Sequence, residues 1–135
     1  MKKYFLIIPV LLLLLSACSK EDLPPTDFVM VKFENKTGKD IDNLTISRAA
    51  IRLLKKGKKT DYIEYEALGQ QYGFALVEAV GDIDGKRFYA SSACQGICGT
   101  ASAPDGEWLE AGYYKVAIGL SDEAGGNYLE FVMLD

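Results

Sequence analysis

From Phe28 onward, apolar and polar residues alternate along the chain. Val29, Val31 and Phe33 fall on one face, and Phe28, Met30 and Lys32 on the other. A period of two is the mark of a strand with one buried side. The turn-forming residues 34–40 interrupt it. Leu44 and Ile46 then alternate with Asn43, Thr45 and Ser47, predicting a second half-buried strand, while residues 49–54 suit a short strand or one helical turn equally. Residues 61–67 set Ile63, Tyr65 and Ala67 against Tyr62, Glu64 and Glu66, and residues 74–80 are nearly continuously apolar, which predicts a central strand. Asp84-Gly85 is a hairpin signal, with the return through residues 87–90. A loop of small residues, 91–106, leads to Trp108 and to a strand in which Tyr114, Val116, Ile118 and Leu120 share a face. After the turn at 122–127, residues 128–134 form the last strand, with Leu129, Phe131 and Met133 on one face. The expectation is all-β: an antiparallel sandwich of about seven strands.

The start of the chain breaks this pattern. Lys2 and Lys3 precede an apolar run from Phe5 to Leu15. That length fits the helical core of a secretory signal and falls short of the roughly 20 residues needed to span a bilayer. Leu15-Ser16-Ala17-Cys18 follows at once and resembles the lipobox of bacterial lipoproteins: an aliphatic residue, two small residues and a cysteine. The resemblance implies cleavage before Cys18 and lipidation of its thiol, with at least two acyl chains, enough for stable anchoring. Ser19-Lys20-Glu21-Asp22 resembles the acidic surface-export signal of Bacteroides-type lipoproteins, which implies the outer face of the outer membrane, with the periplasmic face as the alternative. Residues 1–17 are thus read as signal peptide, 18–27 as a lipidated tether stiffened by Pro24-Pro25, and 28–135 as the β-sandwich domain.

Charge narrows the partners. Of 15 basic and 19 acidic residues, the signal removes only Lys2 and Lys3, leaving a charge of −6. A net-acidic domain argues against nucleic acid and against anionic lipid as ligands of its surface. The run Lys55-Lys56-Gly57-Lys58-Lys59 reads as a solvated hairpin tip rather than an anion site.

Little chemistry is available. The chain has no histidine, so Ser-His-Asp and Cys-His catalysis cannot be assembled. Cys94 and Cys98 flank Gly96 in a short reversal and are read, in an exported protein, as a local disulfide. Two thiols are too few for a zinc site, and three intervening residues do not make a redox CxxC. Glu64 and Glu66 stand about 7 Å apart if extended, within the range of an inverting glycosidase, but alternating charge on a strand is ordinary. Asp82-Ile83-Asp84-Gly85 lacks the rest of a calcium loop and reads as a turn. No catalytic, metal or cofactor residues are assigned.

Gly112-Tyr113-Tyr114-Lys115-Val116 resembles the entry to a late strand in Ig-like and transthyretin-like modules. With Phe33-Glu34-Asn35-Lys36-Thr37-Gly38, it is similar to small β-sandwich lipoproteins of Bacteroides-type bacteria, which implies a fold and a location but no activity. The functional expectation is a non-enzymatic surface module binding a protein or glycan. Trp108, beside the cysteine loop, and Tyr62, on the presumed outer face, are its candidate contacts, since Tyr and Trp anchor many interfaces. A structural or accessory subunit of a fimbria or envelope complex is the alternative, with residues 28–33 as a possible strand acceptor. A small hydrolase is the remaining one.

Overall fold

The computed structural model describes residues 21–90, 106–121 and 126–135. The signal peptide, Cys18 and the Cys94–Cys98 pair lie outside the described residues.

The described chain is all-β. Eleven strands run in order: β1 (Val29–Asn35), β2 (Ile41–Ile46), β3 (Ala49–Leu54), β4 (Ile63–Tyr65), β5 (Gly69–Gln71), β6 (Phe74–Leu76), β7 (Ala79–Ile83), β8 (Lys86–Ala90), β9 (Glu107–Trp108), β10 (Gly112–Ser121) and β11 (Tyr128–Leu134). They form one sheet, ordered β3-β2-β7-β8-β11-β10-β1-β4, with β6, β5 and β9 branching from β11. The sheet is mixed and nearly closed into a barrel.

Where alternation is clean, the buried faces are those the pattern indicates. Val29, Val31 and Phe33 of β1, Leu44 and Ile46 of β2, Val116 and Ile118 of β10, and Leu129 and Phe131 of β11 meet in one core. Phe33 packs edge-on against both Tyr65 and Phe131, at 6.3 and 6.1 Å between ring centres. Asp84 and Gly85 both take positive φ in the β7–β8 turn, as a two-residue hairpin requires.

Three features depart from expectation. The strand count exceeds seven because residues 49–54 settle as a strand, because β5 and β9 have only three and two residues, too few to show a period, and because the run 74–80 is divided. The apolar run 74–80 is two strands, not one: β6 pairs with β5 and β11, and β7 with β2 and β8. Between them the backbone of Glu78 is held by Ser47, whose N–H donates to the Glu78 carbonyl at 2.6 Å. Finally, β1 runs parallel to β10, and β8 parallel to β11. Alternation assigns a face, but it carries no information about the direction of the neighbouring strand.

Gly81 of β7 shows how closely the core is filled. A Cβ there would lie 2.7 Å from Ile41 Cγ2 and 3.3 Å from Leu44 Cδ1, whereas at Gly119 the nearest atom would be a Glu130 carboxylate oxygen at 3.7 Å. Gly81→Ala is expected to lower stability by about 1–3 kcal/mol through overpacking. Gly119→Ala is expected to be neutral or mildly stabilising, since glycine weakens a strand interior. Urea unfolding of the two variants checks the contrast.

Candidate functional site

Tyr62 sits on the outer face of β1, β4 and β10, and the chain's own N-terminal segment meets it there. Met30, Lys32 and Glu34 of β1 point outward beside Tyr113, Lys115 and Ala117 of β10. Lys32 Nζ lies 4.4 Å from the centre of the Tyr62 ring, and Tyr62 packs edge-on against Tyr113 at 4.9 Å. Residues 21–27 lie against this face. The Tyr113 hydroxyl donates to the Pro24 carbonyl at 2.7 Å, and Lys32 Nζ donates to Glu21 Oε1 at 3.1 Å. The Lys32 ammonium holds the Glu21 carboxyl below its usual range, while burial raises Tyr62 above its own. With its pKa depressed, Glu21 stays ionised and paired through neutral pH, and the pair is lost only as acid protonates it.

Trp108 occupies a different region. It belongs to β9, which pairs with β5 through Gly69, and its side chain is 46% exposed. Among the described residues, no ring contact joins Trp108 to Tyr62. The sequence reading missed a third aromatic, Tyr72, at the tip of the β5–β6 hairpin. Tyr72 is 84% exposed and has φ 49°, followed by Gly73 at φ 80°. Two successive positive φ values mark a hairpin turn that favours Asn, Asp or Gly, so a tyrosine at its first position is strained. The adjacent Tyr-Gly pair was the available signal.

At the other end of β1, Asn35 is the buried polar side chain of the described core. Its Nδ2 donates to the carbonyls of Lys39 and Leu54, both at 2.8 Å. Its Oδ1 accepts from the backbone N–H and the hydroxyl of Thr37, at 3.0 and 2.7 Å. Its backbone pairs with the 55–59 turn: the N–H donates to Lys58 and the carbonyl accepts from Gly57. Asp40 Oδ1 accepts from the Lys56 N–H at 2.7 Å, and Lys39 forms an ion pair with Asp84 of the β7–β8 turn. Three turns are therefore tied together at one end of the molecule.

Among the described residues, two open grooves flank the sheet. One, of about 470 Å³, separates the sheet's end strands and is lined by Ile51, Leu53, Lys59, Asp61 and Ile63. The other, of about 350 Å³, lies by Arg48 and Glu78. Each offers one carboxylate. Glu64 and Glu66 are exposed and line neither groove. No group of three or more potential metal ligands occurs among the described residues. The possible strand acceptor, residues 28–33, is filled. β1 pairs with β10 and β4, and beyond β4 the Phe33 N–H donates to Thr60 Oγ1 at 3.0 Å. No protein-family model, curated protein or solved structure matches the chain.

Proposed function

We propose that the chain is an exported lipoprotein, anchored to the outer membrane through lipidated Cys18 and exposed at the cell surface, whose domain binds a protein or glycan partner without catalysing a reaction. The observation that carries the binding reading is Tyr72, a large aromatic side chain held in solvent at a turn position that disfavours it. Strain kept at an exposed side chain is the kind of outlier that motivates a functional assignment. Trp108 is the second contact. Tyr62 is engaged by Lys32, Tyr113 and Glu21 and is assigned to that internal contact instead. The anchor reading is supported by the lipobox of Leu15-Ser16-Ala17-Cys18. A fimbrial or accessory role has less support, because its acceptor edge is paired on both sides.

The purified lipoprotein in detergent, tested against arrayed glycans and separated envelope proteins, is expected to lose at least tenfold in binding on Trp108→Ala and on Tyr72→Ala. Unchanged binding in both variants overturns the site. Tyr72→Asn restores the favoured Asn-Gly turn and is expected to raise stability by about 0.5–1 kcal/mol while weakening binding. Location has its own test. Protease added to intact cells is expected to cleave the domain, and protection until lysis overturns surface exposure.

A further inference from the structure

Seven of the nine lysines among the described residues of this acidic protein are gathered at one end. Lys36 and Lys39 follow β1, Lys55, Lys56, Lys58 and Lys59 follow β3, and Lys86 follows the β7–β8 turn, all of them exposed. The Asn35, Asp40 and Asp84 contacts hold these three turns side by side. Against the seven lysines stand Glu34, paired with Lys59, together with Asp40 and Asp84. Lys36, Lys55, Lys56, Lys58 and Lys86 form no ion pair among the described residues. The nearest further acids among the described residues are Asp61, which lines the same groove as Lys59, and Asp42 and Asp82, which stand opposite each other on β2 and β7, Asp82 being paired with Arg87.

The N-terminal segment points the same way. Pro24 meets Tyr113, which stands opposite Met30, and Glu21 meets Lys32, one row nearer Asn35. Residues 24 to 21 therefore climb the outer face of β1 towards the lysine end. Asn35 lies three residues beyond Lys32, a rise of about 10 Å along the strand. Cys18 lies three residues before Glu21, within about 10 Å of chain. The thiol can thus reach the level of the lysines but cannot travel far past it.

We propose that this lysine end is a membrane-facing surface, which rests on the anionic headgroup phosphates of the leaflet that the acyl chains of Cys18 enter. The proposal rests on the reading of Cys18 as lipidated. Lysines near an anionic bilayer attract it within a Debye length, and the acidic remainder of the domain is repelled, so the charge asymmetry sets an orientation that a lipid alone does not. Net charge alone argues against such contact; the segregation of that charge reverses the conclusion for one end.

The test uses the purified lipoprotein reconstituted in vesicles of phosphatidylcholine alone or with phosphatidylglycerol. Mass measurement of the Cys18 peptide comes first, and an unmodified thiol overturns both readings. With the modification present, an amine-labelling footprint is expected to show Lys36, Lys55, Lys56, Lys58 and Lys86 reacting about fivefold or more slowly on anionic than on neutral vesicles. High salt is expected to abolish the difference. A fourfold variant, Lys55→Glu, Lys56→Glu, Lys58→Glu and Lys59→Glu, is expected to remain lipidated and to lose protection at Lys36 and Lys86. Equal labelling on the two vesicle types, or protection of Lys86 untouched by the variant, overturns this orientation while leaving the anchor intact.

Discussion

Phe33→Ala is expected to lower the stability of the domain by about 3–5 kcal/mol, the usual range for truncating a buried phenylalanine. Phe33 is fully buried on β1, and its ring joins Tyr65 at the end of β4 to Phe131 of β11. Removing it takes away one ring of two edge-to-face pairs and leaves a cavity bounded by strands on three sides. Those strands are held by backbone pairing, so they cannot collapse to fill it. The loss is a large share of the ~5–15 kcal/mol that holds a typical domain. Phe33→Leu keeps much of the volume and is expected to fall well short of the alanine effect. Chemical unfolding gives both values, and equal losses would show that the ring contacts, rather than the filled volume, carry the stabilisation.

Asn35→Ala is expected to cost about 3 kcal/mol. Its side chain uses both donors and its acceptor, on the buried carbonyl of Leu54 and on the partly buried carbonyl of Lys39 and N–H and hydroxyl of Thr37. Each buried group left unsatisfied costs about 1–3 kcal/mol, and water entering the gap offsets part of the sum. Asn35→Asp is the informative companion. It keeps the acceptor for Thr37 but turns a carboxylate towards two carbonyl oxygens, so at neutral pH it is expected to be no milder than alanine. Protonation restores one donor, so the Asp variant is expected to gain stability on mild acidification where the Ala variant does not. A milder Asp variant at neutral pH would mean that the carbonyl contacts matter less than the Thr37 turn.

The two residues differ in how far the sequence exposes them. Phe33 lies in the clearest alternation of the chain, and its burial follows from pattern alone. Asn35 continues the same phase, but its polarity and the following Lys-Thr-Gly make it look like the start of a solvated turn. Only the return of the 55–59 turn, twenty residues later, creates the buried site that an amide fills. The lysine end was illegible for the same reason. The run at 55–59 was visible, yet Lys36, Lys39 and Lys86 join it through contacts distant in sequence. Tyr62 and Trp108 were selected as exposed aromatics. The structure places one among Lys32, Tyr113 and Glu21 and the other on a two-residue strand, and a list of aromatics cannot separate those surroundings. The short strands β5 and β9 were missed because two or three residues cannot display a period.

The parallel pairing of β1 with β10 also sets the order of assembly. Val29 lies opposite Gly112, 83 positions further on. A chain emerging N-terminus first has made its most regular apolar strand long before that partner exists, and only β4 can cover one side in the interval. Such high contact order slows folding, because loop closure precedes the contacts that reward it. An uncovered strand edge in a waiting chain also invites association with other chains. The finished domain hides β1 between two neighbours, while the nascent one displays it, so its hazard is one of timing and falls on whatever escorts the chain until residue 118 has been delivered.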